Sequence, residues 1–415
     1  MSSPEVQQVN TQSPPAEKPR RFYVPQLDGL RFMAFLLVFV HHGPRLSALF
    51  APGSVLNKGL RFIEERGWFG VDLFLVLSAF LITSLLLIEY DRHHNISLRG
   101  FYMRRILRIW PLYYLMCAIG FFLLPWLSYA ADPLSSPVHA TLMKVYFIPY
   151  VTLFGNFACG AHSYPPVGTL AHLWTVTLEE QFYIGWPLIL SLTLRTRRFV
   201  LWLLLSVLLV GTLLLRFRLT GRTTHPYIWT NTLARLDPLV IGIAIAVWRH
   251  TREARAGWLV PLIKLLAGGF MVCTIAYAPP IETQSRHVVW IFLATATGFG
   301  LILDAILSRE QNPIAWILSR RPLVWLGKLT YGLYVYHILG LTLATEFVMF
   351  LQGRKIVTTP AGVAQNRWVF GLIFTIVIAA ESYRIFESFF LRMKDRFARV
   401  KSRPVEVGEA SSKGA

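Results

Sequence analysis

Charge is scarce in this chain of 415 residues. Only 15% are Asp, Glu, Lys or Arg, and 54% are hydrophobic, whereas a soluble domain carries about a quarter charged residues. That shortage excludes an ordinary soluble globular protein. Cysteine is scarcer still: Cys117, Cys159 and Cys273 are scattered, with no CxxC spacing. They build neither a disulfide framework nor a metal site, and Cys117 and Cys273 read as packing residues in helices. The P-loop, GxGxxG, GxSxG, HExxH and HxxxxD patterns are all missing. Their absence argues against an ATPase, a serine hydrolase and a soluble-type glycerolipid acyltransferase. No internal repeat stands out. No cleavable signal peptide is expected, because a polar stretch precedes the first apolar run and no A-x-A-like site follows it. No appended soluble domain is expected either.

What is abundant is apolar sequence in bilayer-length blocks. They lie near 27–48, 69–89, 107–127, 171–193, 199–216, 230–248, 258–277, 288–307, 324–347 and 369–391. A shorter apolar stretch at 142–157 is interrupted by Pro149. This patterning predicts an all-α polytopic membrane protein in a lipid bilayer. The net charge of +19 comes from Lys and Arg clustered in the short links between blocks, the pattern of cytoplasmic loops. Basicity here reads as topology, and no nucleic-acid partner is expected. If 142–157 does not span, the basic links at 99–105, 195–198, 249–252, 309–321 and 392–403 all fall on one side. That count predicts ten spans with both termini cytoplasmic and a re-entrant or interfacial piece at 142–157. Residues 1–21 and 396–415 read as disordered cytoplasmic tails flanking one membrane domain, 22–395.

Ionisable residues inside the apolar blocks are costly, about 2.5–3.5 kcal/mol each for Arg or Asp at mid-bilayer, and they mark sites. The first block, LDGLRFMAFLLVFVHH, carries Asp28, Arg31, His41 and His42. Arg31 and His42 are eleven residues apart, about three helical turns, so they share a face about 16 Å apart in depth. The second block, GWFGVDLFLVLSAFLIT, holds Asp72 and Ser78. Asp72 is either a helix cap at the interface or a site-lining group near the depth of His42. In FYMRRILRIWP, Arg105 and Arg108 share a helix face. Such a guanidinium pair suits phosphate groups, or else anchors the helix among lipid head groups. In HLWTVTLEEQFYIGWP, Glu179 and Glu180 enter a span together, with His172 ahead of them. Neighbours on a helix diverge by about 100°, so only one of the two carboxylates can face a given partner. One is expected to orient the His42 imidazole, the alternative being a structural pair satisfied by Arg and Tyr. Late in the chain, LTYGLYVYH adds Tyr331 and His337 as candidate lining residues, although a core histidine among tyrosines reads as well. Arg235 and Asp237 are placed to neutralise one another. No metal site is expected.

These five motifs, in this order, closely resemble the membrane acyltransferases of acyltransferase family 3, bacterial O-acyltransferases of surface polysaccharides and other glycans. The likeness covers about residues 22–395. It departs at Ala79, where the family has glycine, and at Tyr336, where it has tryptophan. The resemblance implies ten spanning helices in the cell inner membrane. It also implies transfer of an acyl group, usually acetyl, from cytoplasmic acyl-CoA to a hydroxyl on an extracytoplasmic or lipid-linked acceptor. Acyl-CoA is then a co-substrate, and no permanently bound cofactor is expected. The family's R-x10-H pattern falls on Arg31 and His42, its RxxR on Arg105 and Arg108, and its acidic pair on Glu179 and Glu180. His42 is thereby expected as general base, Glu179 or Glu180 as its orienting carboxylate, and the three arginines as acyl-CoA ligands. The competing class is a transporter or flippase of a lipid-linked glycan or small polar solute, which cavity-lining Arg, Glu and His serve equally well.

Overall fold

The first helix, α1 (Pro25–His42), opens on a proline whose fixed φ suits the first helical position, and its end is closed by the Gly43 N–H on the Phe39 carbonyl, 2.9 Å. The computed structural model describes residues 23–128, 137–251, 257–283, 285–308, 312–357, 359–397 and 399. The expected tails lie outside these residues, apart from 396, 397 and 399. Among the described residues every regular element is helical. After α1 come α2 (Val55–Arg66) and α3 (Gly70–His93), then α4 (Leu98–Ala118), α5 (Trp174–Thr193), α6 (Arg198–Leu219) and α7 (Asp237–Thr251). They are followed by α8 (Leu259–Cys273), α9 (Val288–Leu307), α10 (Thr330–Gly353) and α11 (Pro360–Ser382).

Capping follows the sequence. Ser97 accepts from the Gly100 N–H at the start of α4, and Thr359 from the Gly362 N–H at the start of α11. Helix α3 ends where His94 turns left-handed, φ 52°. Among the described residues seven helices are long and apolar enough to cross a bilayer. The three other expected spans, α1, α5 and α7, are shorter or more polar. They are the ones that carry Asp28, Arg31, Glu179, Glu180 and Asp237.

The stretch at 142–157 does not form one long helix. It is a hairpin of short helices, broken where Leu153 takes φ 64°, with Gly155–His162 folded back on Ile148–Val151. Tyr146 donates to the carbonyls of His162 and Ser163 at 3.0 and 3.1 Å, and Tyr150 donates to Leu170 at 3.0 Å. Tyr113 of α4 donates to the Tyr150 carbonyl at 2.8 Å, tying the hairpin to the bundle.

Close approach to α1 organises the centre. A Cβ on Gly70 would stand 2.6 Å from the Ala34 carbonyl oxygen, and one on Gly67 2.4 Å from that of Leu37. On the other side, a Cβ on Gly327 would stand 2.1 Å from the Asp28 carbonyl, and one on Gly29 2.2 Å from that of Leu318. Helix α1 is therefore held backbone to backbone, between the start of α3 and the short helices Pro313–Leu318 and Arg321–Lys328. Gly70→Val must push α1 and α3 apart. Overpacking of this kind costs about 1–3 kcal/mol, so the apparent Tm of the purified protein in detergent is expected to fall by several degrees. An unchanged Tm would contradict the contact.

Candidate functional site

Two chambers open inside the bundle. The first, a cavity of about 100 Å³, is lined by Arg31, Ser78, Arg105, Arg108, Glu179 and Tyr331, among others. The Glu179 carboxylate accepts from Tyr183 Oη at 2.9 Å and from Ser78 Oγ at 3.3 Å. Arg31 is paired one turn back with Asp28 at 3.1 Å. The Arg105 guanidinium lies 5.5 Å from the ring centres of both Phe101 and Tyr183, which hold it over the chamber by cation–π contact. Tyr331 Oη donates to the Ile109 carbonyl at 2.8 Å. Guanidinium groups on one wall are chemically able to hold an anion, as Arg31 already holds the Asp28 carboxylate. The neighbouring Arg104 is built in differently. It donates to Glu89 at 3.4 Å and to the Phe397 carbonyl at 2.5 Å, and so serves the structure.

The second chamber has a cavity volume of about 400 Å³, and His41, His42, His172, Trp229, His225 and Glu282 are on its walls. His42 is exposed onto this space. Its Nδ1 lies 2.9 Å from the Val38 carbonyl oxygen one turn back. A carbonyl only accepts, so Nδ1 carries the proton and Nε2 keeps its lone pair. The same logic puts the proton of His337 on Nδ1, 2.5 Å from the Tyr334 carbonyl, and that of His172 on Nε2, 3.1 Å from the Val335 carbonyl. The ring of His337 stands 5.1 Å from that of His42 and 4.7 Å from that of His172, so three imidazoles form a row. His337 is fully buried and its Nε2 has no protein partner. His41, on the same wall, gives its Nδ1 proton to the Glu64 carbonyl of α2 at 2.8 Å.

The chambers share a wall, since Val71, Thr175 and Tyr334 line both. Thr175 Oγ1 and Tyr334 Oη are hydrogen-bonded at 2.6 Å across it.

The structure thus gathers Arg31, Arg105, Arg108, Ser78, Glu179 and Tyr331 at one chamber and His42 and His172 at the other, with His337 between the two imidazoles. Three expectations are corrected. Neither glutamate orients His42, because a backbone carbonyl takes that position. Glu179 belongs to the arginine chamber, and Glu180 of α5 is buried against α4, accepting from Trp110 Nε1 at 2.8 Å. Asp72 neither caps a helix nor lines a chamber. Fully buried, it is ion-paired with Arg235. Arg235 and Asp237 do not neutralise each other, since Asp237 accepts from the equally buried Arg216 at 2.9 Å. Arg235 lies 4.2 Å from the ring centre of Trp229 and 3.9 Å from that of Phe292, so the Asp72–Arg235 pair braces the aromatic wall of the histidine chamber from behind. Sequence reasoning missed Thr175 and Tyr334. The available signal was that each lies three residues, one turn, from a histidine, His172 and His337 respectively.

An apolar helical bundle with an arginine-lined chamber abutting a histidine-lined one is the architecture of a polytopic membrane protein. The chain belongs to acyltransferase family 3: the model of its Acyltransferase domain matches residues 24–383. It is similar to the O-acetyltransferase OatA of Staphylococcus aureus (strain MRSA252), 28% identical over 408 residues that cover 91% of this chain and 60% of that protein. It is also similar to the peptidoglycan O-acetyltransferase OatA of Listeria monocytogenes serovar 1/2a, 26% identical over 387 residues that cover 89% of this chain and 56% of that protein. The chain spans less than two thirds of the length of these relatives. No solved structure matches.

Asp72→Ala leaves Arg235 charged, buried and unpaired, which costs about 3–5 kcal/mol. Thermal unfolding is expected to show a large loss of stability, much of it recovered when Arg235→Leu is added. A double variant no more stable than Asp72→Ala would contradict this account of the pair.

Proposed function

We propose that the protein is a membrane O-acyltransferase, moving an acyl group, acetyl in the first instance, from cytoplasmic acyl-CoA to a hydroxyl of a glycan on the far side of the bilayer. The observation that carries this reading is the pairing of the two chambers. One offers Arg31, Arg105 and Arg108 to an anion, the other offers an imidazole with a free lone pair, and they meet at one wall. The printed names of the relatives, one of them a peptidoglycan O-acetyltransferase, support the glycan as acceptor. The basic links between helices support an orientation in the cell membrane with both termini cytoplasmic and the arginine chamber toward the cytoplasm.

In this scheme the phosphates of acyl-CoA are held by Arg105 and Arg108, with Arg31 deeper. The pantetheine arm carries the thioester inward to the partition. His42, neutral and held by the Val38 carbonyl, takes the proton of the acceptor hydroxyl at Nε2 as that oxygen attacks the thioester carbonyl. Glu179 serves the donor side, fixing Ser78 and Tyr183 beside the arginines and balancing part of their charge. The apolar surroundings limit bulk water and so limit simple hydrolysis.

The test is direct. Purified protein in nanodiscs is given acetyl-labelled acetyl-CoA and a chito-oligosaccharide, and both CoA release and labelled glycan are followed. His42→Ala is expected to lower transfer about 100-fold or more while the protein keeps its Tm, and near-normal activity would sink the assignment. Arg105→Ala is expected to raise the KM for acetyl-CoA about 10- to 100-fold, the worth of one charge-assisted hydrogen bond at ~1.5–3 kcal/mol. An effect on the acceptor alone would contradict its role.

A further inference from the structure

The partition between the chambers holds two hydroxyl groups to which no role has been assigned. We infer that Tyr334, with Thr175 beside it, is the donor that stabilises the oxyanion formed when the acyl group is transferred. This inference rests on the acyltransferase reading above.

If the donor occupies the arginine chamber and His42 acts from the histidine chamber, the reacting carbonyl carbon lies where the two spaces meet. Val71, Thr175 and Tyr334 line both chambers. Of the side chains of these three, Thr175 and Tyr334 carry polar atoms, and both are hydroxyls able to donate. The attack turns a neutral carbonyl oxygen into an alkoxide in a poorly hydrated place, so it needs preorganised donors at that point. Tyr334 is preorganised. Its ring is packed 5.7 Å from Phe74, 5.4 Å from His172 and 5.5 Å from His337, and its Oη lies 2.6 Å from Thr175 Oγ1 and 3.1 Å from the His172 carbonyl. Thr175 Oγ1 is held in turn by the same carbonyl at 3.1 Å. In the resting protein these hydroxyls satisfy one another. With substrate bound, one Tyr334 O–H turns from Thr175 to the thioester oxygen while Thr175 stays on the His172 carbonyl.

The acceptor oxygen bonds to the thioester carbon as its proton passes to His42 Nε2, and the carbonyl electron pair moves onto oxygen, where the Tyr334 O–H meets it. Collapse restores the carbonyl and breaks the carbon–sulfur bond. The departing thiolate takes the proton from His42, giving ester and free CoA thiol.

The experiment measures kcat and KM for CoA release from acetyl-CoA, with and without chito-oligosaccharide, in wild type, Tyr334→Phe, Thr175→Val and Thr175→Ser. Tyr334→Phe keeps the ring packing, and its kcat is expected to fall about 100- to 1,000-fold, the effect of removing one oxyanion donor. Its KM for acetyl-CoA and the Tm shift induced by CoA are expected to stay near wild type. Thr175→Val is expected to lose less, and Thr175→Ser, which restores the hydroxyl, to regain most of that loss. Tyr334→Phe activity within about threefold of wild type would overturn the inference. A fall in kcat accompanied by an equal loss of CoA binding would also overturn it, assigning Tyr334 to the packing of the partition. Should Tyr334→Phe fail to fold, the Thr175 pair decides, and equal activity of Val and Ser there would overturn the inference. A wild-type protein that releases no CoA at all would instead remove the acyltransferase reading beneath it.

Discussion

Helix α1 touches its neighbours backbone to backbone, and the rest of the centre depends on that contact. Glycines at 67 and 70 let the start of α3 reach the carbonyls of Ala34 and Leu37, while Gly29 and Gly327 let the helices after α9 reach it from another side. A side chain at any of these points would need backbone to move. With two flanks so fixed, the remaining face of α1 carries Arg31 toward one chamber and His42 toward the other. Their separation in depth is about 16 Å along the axis, so a single helix contributes to both chambers.

Desolvation governs what surrounds that helix. A charge in an apolar interior persists only when paired or facing a polar space. The two buried pairs, Asp72–Arg235 and Asp237–Arg216, take the first course, their arginines packed on the rings of Trp229 and Phe292. Arg105 and Glu179 face a chamber, and Arg31 does both, lining that chamber while paired with Asp28. The same rule separates the adjacent arginines: Arg104 is neutralised by Glu89, whereas Arg105 is held over the chamber by aromatic rings.

The histidines obey a related economy. His42, His172 and His337 each give their N–H to a backbone carbonyl, so each tautomer is set without a carboxylate. A carbonyl orients an imidazole without adding a formal charge to a poorly hydrated wall, and it leaves the other ring nitrogen available for chemistry or for a neighbour. That arrangement frees both glutamates for other work, Glu179 beside the arginines and Glu180 on Trp110.

By itself the sequence determined the all-helical membrane class, the family, the shared face of Arg31 and His42, and the membership of most of the site. Apolar block length and the 3.6-residue period are local properties of the chain, and so are the five motifs. It also required that Glu179 and Glu180 part company, because adjacent helical residues diverge by about 100°. Only the tertiary structure decided who meets whom. Arg235 and Asp237 are near in sequence, yet each pairs with a residue from another helix, Asp72 of α3 and Arg216 of α6. Glu179 faces arginine instead of His42, and Thr175 meets Tyr334 from a helix 159 residues away to make the wall between the chambers. Periodicity tells which side chains share a face of one helix. Which face of which other helix lies opposite is set by long-range packing, here by the glycines that let α1 settle against its neighbours.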